Sequence, residues 1–212
     1  MQARILITGT STGIGAATAR EMAPGNTLFL HYNSSEREAD QLHQLTDGLE
    51  LLVNNAGGVV QRESIEEIEW ETIEEIFTLN AFSTFMVTKL VLSLLRAGHH
   101  LQIINMTSVA MRTGSPSAVM YAASKGAVDT FTRGIAKSLA PHIRVNSIAP
   151  GVIVTPFHEK YTSEEQLEQF RAQTPLQRFA EPAEIARAVR YLYDSTFLTG
   201  ATIDVNGGMY MR

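Results

Sequence analysis

The chain has 212 residues, a length that fits one domain with a sizeable core better than two. Its net charge of −5 argues against a broad nucleic-acid-binding face, which shows as a basic excess, although backbone N–H groups still bind phosphate without net positive charge. The absence of cysteine excludes a disulfide framework and thiol chemistry and suits a reducing cytoplasm, and neither a signal-like h-region nor an apolar run of membrane-spanning length is apparent.

Short β-type runs alternate with longer helical stretches. Residues 4–8 predict a strand, and residues 15–22 a helix that Pro24-Gly25 ends. Residues 27–32 predict a second strand. Residues 34–45 are polar and helix-like, with Ser35 as N-cap. A short apolar strand follows at 49–53. Residues 64–95 form a long helical region with an acidic first half, in which Ile65, Ile68, Ile73, Ile76 and Phe77 fall near helical spacing. A strand at 101–106, a long helix at 119–139 and a strand at 143–148, broken by Pro150-Gly151, come next. Helices at 163–173 and 183–193 and a strand at 201–205 complete the chain, before Asn206-Gly207-Gly208. Strands separated by helices predict an α/β fold, a doubly wound parallel sheet with helices on both faces.

Gly9, Gly13 and Gly15 stand between the first strand and the first helix, in the order Thr8-Gly9-Thr10-Ser11-Thr12-Gly13-Ile14-Gly15. Gly9 permits a sharp turn, Gly13 lets the backbone approach a pyrophosphate, and Gly15 lets the helix pack closely on the sheet. The helix N-terminus then offers N–H groups and a partial positive charge to an anion. Ser11, Thr12 and Ile14 share this loop. Glycines also serve ordinary turns, so position between strand and helix is what gives the triplet its meaning.

Tyr121 and Lys125 are four apart on a predicted helix and share one face. A phenol of ordinary pKa is a poor acid–base catalyst at neutral pH, and a nearby ammonium is expected to lower that pKa. Alone, such a pair is common and mostly structural. Its context is different. Asn54-Asn55-Ala56-Gly57 ends one strand, Asn80 sits in an otherwise favourable helix, Ser108 follows another strand, and Pro150-Gly151 follows a third.

This ordered set strongly resembles the short-chain dehydrogenase/reductase family over nearly the whole chain. The segments Arg178-Phe179-Ala180-Glu181-Pro182 and Asn206-Gly207-Gly208 are similar to its 3-oxoacyl-[acyl-carrier-protein] reductase branch. The resemblance implies a single-domain Rossmann fold and a carbonyl–alcohol interconversion by hydride transfer with a nicotinamide nucleotide. It implies that Tyr121 is the general acid in reduction, and that Lys125 lowers its pKa and binds the nicotinamide ribose. Ser108 would hold the substrate carbonyl, and Asn80 a water linking Lys125 to solvent. Asn54, Ala56 and Gly57 would line the cofactor, and Pro150, Gly151, Ile153 and Thr155 would lie near its carboxamide. It also implies a homodimer or homotetramer, paired through the helices that hold residues 81–95 and 119–139.

The second strand ends in His31-Tyr32-Asn33-Ser34-Ser35, where an acid would bind a ribose 2′-OH and repel a 2′-phosphate. None is present, so Tyr32, Asn33 and Ser34 are expected to favour NADP(H) over NAD(H). Thr12 weighs the other way, because NADP users often carry a basic residue there. Residues 154–173 are expected to cover a small carbonyl or alcohol substrate, with Met111 and Phe157 on its apolar wall. Trp70 is expected to pack. The histidines lack ligand-spaced partners, and no metal is expected.

The chain departs from the family between Tyr32 and Leu49, where relatives carry a further strand and helix. There is room for about one helix. Either the usual third strand is lost, leaving an open adenine side, or residues are missing from the sequence. An intact Asn80, Ser108, Tyr121 and Lys125 favours an enzyme, and the shortened adenine side favours a cofactor-binding sensor or structural relative without turnover.

Overall fold

A computed structural model describes residues 2–31, 46–62, 64–97, 101–153 and 163–211. Six parallel strands form one sheet: β1 (Arg4–Thr8), β2 (Thr27–His31), β3 (Leu51–Asn54), β4 (Gln102–Met106), β5 (Arg144–Pro150) and β6 (Thr202–Val205). Their order is β2-β1-β3-β4-β5-β6. The chain steps outward from β1 to β2, then returns to the other side of β1 for β3. The order therefore reverses beside β1, and ligands of such sheets bind in the crevice at the carboxyl ends of the strands flanking that point.

The helices are α1 (Gly13–Met22), α2 (Trp70–Phe77), α3 (Ser83–Ala97), α4 (Ala110–Thr113), α5 (Val119–Leu139), α6 (Glu164–Gln173) and α7 (Pro182–Asp194). A π-helical turn, Thr78–Phe82, joins α2 to α3. Alternate strand residues feed two cores. Ile5, Ile7, Leu51, Val53, Ile104 and Ile148 meet Met22 of α1 and Ile185, Val189 and Leu192 of α7. Leu6, Leu52, Ile103 and Val145 meet Val91, Leu94 and Leu95 of α3 and Ala136 of α5. Burial on both faces is why the strands read as continuous apolar runs.

A polar ladder crosses the sheet inside this apolar packing. Asn54 Nδ2 donates to Thr88 Oγ1 at 3.0 Å and to Asn105 Oδ1 at 2.9 Å. Asn105 Nδ2 donates in turn to Thr132 Oγ1 at 2.9 Å. The four side chains tie α3, β3, β4 and α5 into one unit, and all four are buried. Such linked bonds rigidify a core, although here Asn54 Oδ1 is itself buried without a hydrogen-bond partner.

Several expectations change. The long helix begins at Trp70 instead of residue 64; Glu67 N donates to Ser64 O in a turn, and Ile65 stays exposed. Ile65 therefore contributes nothing to a buried face that would hold those residues helical. Trp70, at the head of α2, is 64% exposed and does not pack in the core. Trp70–Leu95 forms 26 helical residues long and apolar enough, by composition, to cross a membrane, against the reading that no run approaches that length. Its inward side chains Ile76, Asn80, Thr84, Thr88, Val91, Leu94 and Leu95 are buried within this fold. Strand β5 continues through Pro150 instead of ending at Ile148, because Gly151 N donates to Val205 O at 2.9 Å and extends the pairing with β6. The expected helix at 34–45 and the expected loss of a third strand fall outside the described residues.

Replacing Asn105 by alanine orphans donor and acceptor atoms on both sides of the ladder. Asn105→Ala is expected to lower unfolding stability by about 2–3 kcal/mol, measured by urea denaturation. A loss below about 0.5 kcal/mol would mean the ladder contributes little.

Candidate active site

The cleft at the strand ends has a volume of about 620 Å³, within the usual span for a small-molecule site. Its floor at one end is the glycine loop. Gly9 and Gly13 have φ of +68° and +57°, conformations that side chains resist. A Cβ on Gly15 would lie 2.1 Å from Gly9 O, so helix and loop touch there directly. Thr12 at the N-cap of α1 makes no side-chain cap hydrogen bond, and the first turn carries no acid. The first N–H groups of this helix thus face the cleft through Thr12, Gly13 and Ile14, as an anion requires.

Asn55 locks this loop to β3. Its Nδ2 donates to Thr8 O and Gly9 O at 3.0 and 2.9 Å. Thr8 Oγ1 accepts from the backbone N–H groups of Asn55 and Ala56, both at 3.0 Å. Asn55 also lines the cleft, whereas Asn54, expected against a cofactor, turns into the polar ladder. Strand alternation is the reason: successive side chains point to opposite sides.

The other half of the site is built on α5. Lys125 is 3% exposed, and its Nζ donates to Met106 O at 3.0 Å. Burial lowers its pKa to about 8. Gly57 leaves room for it: a Cβ there would lie 2.9 Å from Lys125 Nζ and 2.7 Å from Asn80 Oδ1. Asn80 is fully buried on the π turn. Its Oδ1 accepts from Gly58 N at 2.9 Å, and its Nδ2 donates to Gly58 O and Ile76 O, each at 2.9 Å. It does not line the cleft; it fixes the backbone beside Lys125. The π turn shifts the helix register at this residue, a common device at functional sites.

Ser108 and Tyr121 line the same cleft, with the Ser108 hydroxyl close enough to favour the ionised phenol. Ser108 Oγ also accepts from Ala110 N at 3.1 Å, which anchors the unexpected short helix α4. The expectation that Lys125 lowers the Tyr121 pKa is corrected here. Burial raises that pKa, and the opposing influences are the Ser108 hydrogen bond and the Arg62 charge. The ammonium lies 5.9 Å from the centre of the phenol ring and spends a hydrogen bond on Met106. The phenol is accordingly held neutral, the form an acid needs.

Gly9, Ser11, Thr12, Gly13, Ile14, Ala56, Gly57, Ser108, Tyr121, Lys125, Pro150, Gly151 and Ile153 all line this one cleft. Gly15, Asn54 and Asn80 support it from behind. Tyr32, Asn33, Ser34, Thr155 and Phe157 lie outside the described residues. Met111 does not line the cleft; Val109, Ala110 and Met209 do. Gly151 abuts the Asn206 backbone, where a Cβ would lie 2.8 Å from Asn206 Cα, so the C-terminal Asn-Gly-Gly segment backs the site. Arg62, Phe170 and Gln173 also line it and carried no distinguishing sequence signal.

A family model described as "Enoyl-(Acyl carrier protein) reductase" matches residues 33–210. The chain is 34% identical over 221 aligned residues to the 3-oxoacyl-[acyl-carrier-protein] reductase FabG of Aquifex aeolicus (strain VF5), covering 97% of this chain and 87% of that protein. This chain belongs to the short-chain dehydrogenase/reductase family. The aligned stretch exceeds the 212 residues of the chain, so the relative carries residues that this chain lacks. It is also 40% identical over 171 residues to the uncharacterized oxidoreductase YhxC of Bacillus subtilis (strain 168), covering 79% of this chain. The chain spans 59%, 58% and 57% of the lengths of YhxC and two comparable curated relatives. The ligand-free aldohexose dehydrogenase of Thermoplasma acidophilum superposes with a TM-score of 0.90 at 25% identity, covering all (100%) of this chain and 95% of that one.

Burial of Lys125 disfavours its charge only in the folded state, so its cost to folding is full below pH 8 and fades as pH rises. Relative to Lys125→Met, the wild-type protein is expected to gain stability between about pH 8 and the unfolded lysine value of 10.5. Paired urea titrations of both proteins at neutral pH and at about pH 10 check this sign. A stability difference that stays constant would place the ammonium in water.

Proposed function

We propose that this short-chain dehydrogenase/reductase interconverts a carbonyl and an alcohol with a nicotinamide nucleotide. The observation that carries the reading is that Ser108, Tyr121 and Lys125 line the same cleft as an uncapped helix N-terminus. The glycine loop fits a pyrophosphate: a side chain at Gly9 or Gly15 would occupy its backbone space. Gly9, Ser11 to Gly15, Ala56, Gly57 and Lys125 would hold the nucleotide, with Pro150, Gly151, Ile153 and Thr155 toward the carboxamide. When bound, it supplies the hydride.

The protein's own residues do the rest. Ser108 Oγ–H orients the carbonyl oxygen and steadies the developing alkoxide. Tyr121 gives its hydroxyl proton to that oxygen in reduction and takes it back in oxidation. Lys125, its pKa lowered by burial to about 8, stands behind the phenol as the group through which the proton is resupplied. Asn80 holds the Gly58 backbone at the mouth of that path and would seat its water.

NADP(H) is the favoured nucleotide. Thr10 N and Thr10 Oγ1 both approach His31 O, at 3.2 and 3.3 Å, so the chain leaves β2 beside the glycine loop. Residues 32–35 then supply Tyr32, Asn33, Ser34 and Ser35 and no carboxylate to repel a 2′-phosphate. A 3-oxoacyl thioester is one substrate in keeping with the likeness to FabG. Assembly as a homodimer or homotetramer is supported by Leu79, Phe82 and Met86, which remain exposed along one helical stretch. We further assign the protein to one domain in the cytoplasm, with neither nucleic acid nor membrane as partner.

Tyr121→Phe is expected to reduce kcat by at least about 100-fold while leaving NADPH affinity within about threefold. Absorbance of NADPH and NADH with a panel of ketones, together with equilibrium binding of each nucleotide, measures both. Nucleotide binding without any carbonyl turnover would favour a sensor over an enzyme.

A further inference from the structure

The cleft wall that follows Ser108 rests on a very short element. Helix α4 is a single turn, Ala110–Thr113, and of its four residues Ala110 alone is buried. The chain leaves it through Gly114 and Ser115, both left-handed, with φ of +85° and +42°. One helical turn followed by two such residues has little stability of its own. Yet Ala110 N donates to Ser108 Oγ at 3.1 Å, and Val109, Ala110 and Thr113 line the cleft. Contacts from outside the turn must hold it.

At the near end, Val109 N donates to Pro150 O at 2.8 Å. At the far end the anchor is Arg112. Its Nε donates to Asp204 Oδ1 at 3.4 Å, an ion pair whose side chains are only 17% and 18% exposed. Asp204 stands in β6, in register with Ala149 of β5, and so belongs to the rigid frame of the sheet. The guanidinium carbon of Arg112 also lies 5.6 Å from the centre of the Tyr210 ring. Arginine can do both at once, offering its edge to a carboxylate and its face to an aromatic ring. Tyr210 ends the segment that backs the site: Asn206 Nδ2 donates to Tyr210 O at 3.2 Å, and Met209 lines the cleft. Leu176 N, just beyond α6, donates to Gly207 O of the same segment at 3.1 Å.

Resting on the carbonyl-reducing reading above, we propose that Arg112 is a positioning residue for Ser108. It pins α4 to β6 and to the C-terminal segment, and α4 in turn holds one lone pair of Ser108 Oγ through the Ala110 N–H. With that lone pair engaged, the hydroxyl turns about a fixed anchor, and its hydrogen is left for a carbonyl oxygen in the cleft. Arg112 does not itself line the cleft and acts only through α4. Such placement matters steeply, since a shift of about 1 Å at a reacting centre can cost on the order of 100-fold in rate.

The test compares the full chain as wild type, Arg112→Met and Arg112→Lys. Amide hydrogen exchange reads the anchoring. In Arg112→Met the amides of residues 109–113 are expected to exchange at least about tenfold faster, while those of residues 103–106 in β4 stay within about threefold. Turnover reads the consequence, with NADPH and either ethyl 3-oxobutanoate or cyclohexanone. Arg112→Met is expected to lower kcat about 10- to 100-fold and to leave NADPH affinity within about threefold. Arg112→Lys keeps a cation for Asp204 and Tyr210 and should restore part of both exchange protection and kcat.

Unchanged exchange at residues 109–113 in Arg112→Met would overturn the proposal. So would faster exchange with kcat within about twofold of wild type, or no recovery in Arg112→Lys. A residue that merely supports folding would speed exchange across β4 as well and weaken NADPH binding in step with kcat, and that result would also sink the positioning role. Wild type that reduces neither carbonyl, with NADPH or NADH, would sink the reductase. Faster exchange in Arg112→Met would then still uphold the anchoring of α4, and unchanged exchange would still overturn it.

Discussion

An ammonium enclosed by protein constrains everything around it. Lys125 is nearly sealed from solvent, and the hydrogen bond recorded for it within the fold goes to the carbonyl of Met106 at the end of β4. That bond ties α5 to the carboxyl end of β4. It also dictates the neighbour: Gly57 has no Cβ, because any atom there would collide with Nζ and with Asn80. Asn80 can reach Gly58 with both ends of its amide because a π turn rotates it inward. Lysine, glycine and asparagine come from three distant parts of the chain, and the position of each is required by the others.

The sheet makes their meeting possible. Strand order reverses beside β1, so the ends of β1 and β3 diverge and leave a crevice. The glycine loop fills one side of it. The ends of β4 and β5, with Ser108 and Pro150-Gly151, form the other. The polar ladder from Thr88 through Asn54 and Asn105 to Thr132 lies directly below, tying together the elements that carry the two halves. Rigidity there is useful because proton transfer depends on sub-ångström placement of a hydroxyl.

Electrostatics divides the cleft into two regions. At the glycine loop, backbone dipoles supply the positive potential, and no charged side chain is needed. Farther out, the Arg62 guanidinium stacks on Phe170. Between them the Tyr121 phenol stays neutral because burial outweighs both Ser108 and Arg62. Lys125 is buried beside that phenol, and burial lowers its own pKa to about 8.

Much of this was legible in the sequence. Strand–helix alternation, the glycine triplet, the YxxxK pair and the isolated Asn80 and Ser108 are local patterns, and local patterns follow from helical spacing, turn chemistry and residue type. The element order and most boundaries follow from the same patterns. What only tertiary structure decided depends on which groups end up adjacent across long stretches of chain. Asn54 and Asn55 are neighbours in sequence, yet strand alternation sends one into the ladder and the other onto the glycine loop. Arg62 is an ordinary arginine until Ser117 and Phe170, 55 residues and far further along the chain, close around it. The direction of the Tyr121 pKa was likewise beyond the sequence, because desolvation is a property of packing, and packing is not written in spacing.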